Sequence, residues 1–185
     1  MSTAQDILRF WFDTHGAADW FAGAPEFDAQ VTRFADVHAA LARGEGAGWR
    51  GTPSGRLAEI IVLDQFSRQL FRGRAEAFAA DGKALALAQE AVAGGHASFL
   101  VPQQRLFVLM PFMHAESELV QRESVRLFTA LGLDDNLRYA REHAELISRF
   151  GRFPSRNAAL GRMSTPAEEA YLAGIAAASG NSGAA

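Results

Sequence analysis

At 185 residues and 20.0 kDa the chain is long enough for one well-buried core and too short to favour two ordinary domains. Hydrophobic residues make up 49% and charged residues 21%, which places it among globular rather than disordered chains. A net charge of −3 argues against a protein built to neutralise nucleic-acid phosphates, and the lack of cysteine excludes disulfides, a thiolate nucleophile and cysteine-based metal centres.

The N-terminus, MSTAQDILRFWFD, carries an acid and lacks the basic region and small-residue cleavage site of a signal peptide. The longest apolar run, LFVLMPFM at 106–113, is far shorter than the roughly 20 residues that span a bilayer. A cytoplasmic location with no membrane or nucleic-acid partner is the expectation.

In chain order, Ser2 and Gln5 stand at capping-box spacing ahead of ILRFWF and predict a helix to about Phe12. Pro25 suits a first helical position, and Phe27, Val31, Phe34, Val37, His38 and Leu41 follow at helical spacing until Gly44. GEGAGWRGTPSG reads as the longest internal loop, pinned by Trp49. From Arg56 the apolar set Leu57, Ile60, Ile61, Phe66 and Leu70 predicts a helix closed by Gly73, with Asp64 and Arg68 one turn apart on it.

Asp81 is placed to cap an alanine-rich helix ending at Gly94 and Gly95, and Pro102 to start a buried one. Pro111 predicts a kink or break just before HAES. Further helices are expected through ELVQRESVRLFTAL to Gly132, and from Asp134 or Asp135 to Phe150, stopped by Gly151. Thr165, Pro166 and Glu168 form a capping box for a last helix ending near Ala178. The expectation is an all-α chain of about seven to nine antiparallel helices without a sheet, one domain over 1–178, and a mobile tail over 179–185.

Two segments are basic, aromatic and free of acids: FSRQLFRGR at 66–74 and RFGRFPSRNAALGR at 149–162. If they meet, the guanidiniums of Arg68, Arg72, Arg74, Arg149, Arg152, Arg156 and Arg162 make an electropositive hollow for a small anion or acidic peptide. Arg152 and Arg156 are the leading candidates. The structural reading is that Arg149 and Arg152 answer carbonyls at a helix end and that Arg68 pairs with Asp64.

His114 lies beside Glu116 and Glu118, so it could act as a general base with its tautomer fixed by Glu116, joined by His143 if the two helices pack together. His114 and Glu118 are also one turn apart, but without a paired-histidine motif or a dense acidic cluster no metal is assigned. Phosphate-cradling loops and the GxSxG elbow are absent, and no cofactor is assigned. Most of Trp11, Trp20, Trp49, Phe10, Phe12 and Phe21 read as core, with Trp20 as an alternative pocket residue.

LDQFSRQLFRGRAEAFAAD, RLFVLMPFMHAES and HAELISRFGRFPSRNAALGRMSTPAEEAYL, in that order, resemble the signatures of a bacterial uncharacterised family, domain of unknown function 924. The resemblance covers about Ile7 to Leu172 and implies a tetratricopeptide-like right-handed superhelix, with no established activity or cofactor. It places the family's polar motifs at Asp64, Gln65 and Arg68, at His114 and Glu116, and at His143, Arg152, Arg156 and Asn157. Ser67, Gln69 and Ser155 stand where that pattern commonly has proline, asparagine and histidine, so Ser155 enters no mechanism. Three functions remain open: a binding module for a small anion or peptide carboxylate, a structural helical domain, and a hydrolase- or transferase-type enzyme using His114.

Overall fold

The structure, a computed structural model, describes residues 2–181, with side chains to residue 178. Among these residues every regular element is helical and none is a strand. The N-terminal cap is one residue later than expected: Thr3 and Asp6 form the reciprocal box, because the Asp6 carboxylate accepts from both the amide and the hydroxyl of Thr3 at 2.8 Å. Helix α1 (Ala4–Leu8) then widens into a π-helical turn over Arg9–Thr14. That turn carries Phe10 and Trp11 into the core.

Helix α2 (Ala17–Trp20) returns Trp20 over Trp11, the rings stacked 5.5 Å apart, and the Trp20 indole donates to the Trp11 carbonyl at 2.9 Å. Trp20 is therefore a core residue and no pocket wall. Pro25 opens α3 (Pro25–Val31), and a 3-10 turn over Thr32–Phe34 separates it from α4 (Ala35–Ala42), so the expected single helix is two. The glycine-rich loop is shorter than expected, since Thr52 caps α5 (Pro53–Ile61) and Trp49 packs against the core as anticipated.

A second π-helical turn, Val62–Phe66, leads from α5 into α6 (Ser67–Leu70). Ser67 answers the locally irregular backbone by donating its hydroxyl to the Leu63 carbonyl at 2.6 Å and pairing with the buried His38 ring at 2.7 Å. Helix α7 (Asp81–Ala93) ends before Gly94 and Gly95, and α8 (Pro102–Met113) continues two residues past Pro111 and stops where a break was expected. Helices α9 (Glu118–Leu131) and α10 (Asp134–Phe150) end at Gly132 and Gly151, whose φ values of 75° and 71° are left-handed. Helix α11 (Pro166–Asn181) runs three residues beyond the expected stop at Ala178; of the proposed tail, residues 182–185 lie outside the described residues.

Helices α7 to α10 pack each on the next, and α5 reaches across them to touch α1, α7 and α8. Most of the buried apolar side chains form one contiguous cluster running from Ile7 through Leu63 and Phe107 to Ala140, with Ile147 and Phe153 outside it. No helix of the described residues is long and apolar enough to cross a membrane.

One close approach fixes the start of α5. A Cβ on Gly55 would overlap the Trp49 carbonyl oxygen, whereas one on Gly82, in the first turn of α7, would meet nothing within 4 Å. Gly55→Ala is expected to lower stability in urea denaturation by about 2 kcal/mol or more, as overpacking against backbone does. Gly82→Ala should remain within about 0.5 kcal/mol of the parent or exceed it.

Candidate functional site

The π-helical turn at 62–66 places Asp64, Gln65 and Phe66 on the buried side of the chain. Asp64 is 1% exposed. One of its carboxylate oxygens accepts from His114 Nδ1 at 2.7 Å and lies 3.4 Å from the Arg68 guanidinium, and the other accepts from the Gln65 amide at 2.6 Å. Arg68 also donates to the Asp64 backbone carbonyl. Burial by itself raises the Asp64 pKa, but the charges of Arg68 and His114 and the hydrogen bonds from His114 and Gln65 outweigh it and hold the carboxyl well below its ordinary value. Asp64 is thus an ionised acceptor, and the proton between it and His114 belongs to Nδ1.

His114 is the C-cap of α8, and its backbone is held at successive carbonyls. The buried Gln121 amide of α9 donates to Met113 O at 2.7 Å and Ala115 O at 2.8 Å, while Arg156 donates to His114 O at 2.9 Å. These bonds answer carbonyls left without partners at the end of a helix. With Nδ1 committed to Asp64, Nε2 of His114 makes no hydrogen bond to the described chain and is not sealed from solvent.

Asp81, the first residue of α7, is the carboxylate that gathers the arginines. Arg68 grips it bidentately at 3.0 and 3.1 Å, and Arg156 adds one bond at 3.1 Å. The Arg156 guanidinium is stacked between Phe78 and Phe153, 4.7 and 4.6 Å from their ring centres. Beside these groups opens a cavity of about 600 Å³. Its walls are mainly apolar, with Phe78, Leu85, Pro111 and Leu160 among the lining residues, and Asp81, His114, Glu116 and Arg156 add polar groups. Ser117 also borders it, as the N-cap of α9, and its hydroxyl makes no capping bond.

Asp64, Gln65, Arg68 and His114 form one hydrogen-bonded cluster with Arg156 at its edge, of which only His114 and Arg156 line the cavity, and Glu116, Arg152 and Asn157 take different parts. Glu116 accepts from Arg162 at 2.7 and 3.0 Å and from the Phe153 amide at 2.8 Å, so the acid that orients His114 is Asp64 and not Glu116. Burial opposes ionisation of Glu116, yet Arg162 and the Phe153 amide keep its pKa below the ordinary value. Arg152 is bound bidentately by Glu168 at 2.7 and 2.8 Å and donates to Met163 O, and Asn157 joins the same network through Ser164 and Glu168. The bonds from Arg152 and from the Thr165 cap lower the Glu168 pKa to about 2.

His143 does reach His114, with ring centres 6.4 Å apart, and its Nδ1 donates to Tyr139 O at 2.8 Å. Burial first, and then the neighbouring His114, push the His143 pKa down to about 4. The hollow is not electropositive. Of the arginines in the two acid-free segments, Arg68, Arg72, Arg74, Arg152, Arg156 and Arg162 each meet a carboxylate from elsewhere in the chain, and Arg149 lies over the Phe150 ring. Around the cavity Asp64, Asp81 and Glu116 balance Arg68, Arg156 and Arg162.

Gln121 and Phe78 were not singled out from the sequence, and Asp81 only as a cap; the one available signal was that Phe78 and Asp81 fall inside the motif LDQFSRQLFRGRAEAFAAD. Among the described residues no three His, Asp or Glu side chains converge as metal ligands.

The family model for bacterial proteins of unknown function, DUF924, matches residues 7–175. The chain is similar to the solved structure of ATU0120, a protein of unknown function from Agrobacterium tumefaciens, at 40% identity and a TM-score of 0.87, over 91% of this chain and 96% of that one. No curated protein matches it.

Two measurements check this geometry. The unfolded chain protonates its histidines near pH 6.5 while His143 in the fold waits until about 4, so folding loses stability as pH falls through that window and is unaffected by this group above it. The loss should reach about 2 kcal/mol by pH 5 in urea titrations and be flattened in His143→Gln. Arg152→Ala, which strips Glu168 of its guanidinium, should lower the melting temperature without altering any ligand response of the cavity.

Proposed function

We propose that this chain, which belongs to the DUF924 family of bacterial proteins of unknown function, binds a small molecule with an apolar body and a single carboxylate in the cavity beside His114. The observation that carries the reading is the composition of that cavity: about 600 Å³, walled largely by apolar side chains, with a few polar groups converging on one side. That is the ordinary character of a small-molecule site.

The charge balance selects among anions. A phosphate would demand excess positive charge, and the carboxylates around the cavity already neutralise its guanidiniums. Arg156 differs from the others, because Asp81 is already held by both terminal nitrogens of Arg68 and receives only one further bond from Arg156. A monocarboxylate can therefore accept from the Arg156 N–H groups that Asp81 and the His114 carbonyl leave free, while both keep their bonds. Its hydrocarbon part then covers Phe78, Leu85 and Leu160.

Thermal shift with a series of straight-chain monocarboxylates tests the reading. A ligand at about 100 times its Kd adds roughly 2.7 kcal/mol, a rise of about 5–10 °C for a domain of this size. Inorganic phosphate should give no shift. Gly82 borders the cavity one turn before Leu85, so Gly82→Leu should fill the site and abolish the shift, while Arg152→Ala should retain it. The absence of a shift with any monocarboxylate, or one that survives Gly82→Leu, would overturn the assignment.

A further inference from the structure

His114 is held more firmly than packing requires. Its main chain is fixed by bonds to Met113 O, His114 O and Ala115 O, and its ring by a buried carboxylate at 2.7 Å. His15 and His143 also hold one ring nitrogen by a hydrogen bond; what sets His114 apart is a fully buried carboxylate on Nδ1 together with a cavity beside the ring. Nδ1 is committed to Asp64, and Nε2 is left without a partner in the described chain, on a residue that borders the cavity. This is the arrangement that orients an imidazole for proton transfer.

No serine or threonine hydroxyl of the described residues hydrogen-bonds to His114, and the chain has no cysteine. Since even the Ser117 hydroxyl on the cavity wall makes no bond to His114, the proton that Nε2 accepts is assigned to the contents of the cavity. Arg156 stands at the same site, steadied by two aromatic rings, and its bonds to Asp81 and the His114 carbonyl leave further N–H groups for an oxygen that gains charge.

We infer that this cavity is a hydrolytic centre in which His114 Nε2 is the general base for attack of water on a carboxylic ester with an apolar acyl group, with Asp64 as the positioning residue. The inference rests on the binding reading above and names the reaction that yields the carboxylate bound there. As the water oxygen bonds to the ester carbonyl carbon, its proton passes to Nε2 and the carbonyl π pair moves onto oxygen, facing Arg156. Collapse restores the C=O bond, breaks the C–O bond to the alcohol and returns the proton from Nε2 to that leaving oxygen. Ester and water become acid and alcohol, and His114 ends as it began. Asp64 keeps the lone pair on Nε2 by accepting from Nδ1.

The experiment uses the full chain with 4-methylumbelliferyl acetate, butyrate and octanoate, following release of the fluorophore, and calorimetric binding of octanoate to the same preparations. Saturable release is expected from the parent and from the surface control Arg126→Ala, with His114→Gln slower by at least about 100-fold, the usual worth of a general base. Asp64→Asn should lower kcat with little change in KM and alter the pH profile of release, which a merely structural loss would not do. Gly82→Leu, which leaves His114 and Asp64 in place, should stop both release and octanoate binding, and it decides the matter if His114→Gln does not fold. Octanoate binding with release no faster than in His114→Gln or Gly82→Leu would overturn the inference and leave the binding reading standing. Neither binding nor release would overturn both.

Discussion

An ionised carboxylate sealed inside a helical core must have its lone pairs answered there, and Asp64 sets that condition for much of this structure. Gln65, Arg68 and His114 are its answers, and each in turn needs support. Arg68 requires a second carboxylate, which brings the start of α7 to α6 through Asp81. His114 requires the end of α8 to stop at one place, which Pro111 and the Gln121 amide arrange together. The π-helical turn lies in a stretch, 57–67, that is buried on every side, so Asp64 and Gln65 both face the interior although they are consecutive.

The arginine-rich segments acquire two different meanings in the fold. Arg152 and Arg162 tie the turn at 154–156 to α11 and to the α8–α9 connection, so their carboxylates Glu168 and Glu116 complete a clasp. Arg156 lies across that clasp and faces the other way, towards Asp81, the His114 carbonyl and the open cavity. A cluster that reads as one basic patch along the chain is thus divided by the turn between anchoring and presentation. Buried ion pairs of the anchoring kind contribute little net stability relative to apolar packing, and they confer a defined geometry instead.

Helix ends were legible because they are marked locally: Pro25, Pro102 and Pro166 at starts, Gly132 and Gly151 at stops, and the Thr165–Glu168 box before α11. The π-helical turns were not, since an extra residue in a turn leaves the apolar spacing of 57–70 and 7–12 still readable as ordinary helix. At the site, the motif residues Asp64, Arg68, His114 and Arg156 were identified and Arg68 does pair with Asp64, but the acid that faces His114 was misassigned. Glu116 is near His114 in sequence and Asp64 is 50 residues away, yet the distant acid makes the bond. Glu168 satisfied a local role as a cap, which concealed its second role as the counter-charge of Arg152. Charge pairing across helices is a property of packing, and sequence proximity is a poor guide to it.

The bond from Arg156 to Asp81 spans 75 residues, and those from His114 to Asp64 and from Arg162 to Glu116 span 50 and 46. Short-range helix formation is fast, whereas closing loops of this length costs chain entropy before any contact rewards it. The Arg156 wall of the cavity therefore requires the turn at 154–156 to close over the start of α7 and the end of α8. During synthesis the bond between Asp81 and Arg156 cannot form until Arg156 has left the ribosome, so a shorter nascent chain holds Asp81 and the His114 carbonyl without that guanidinium.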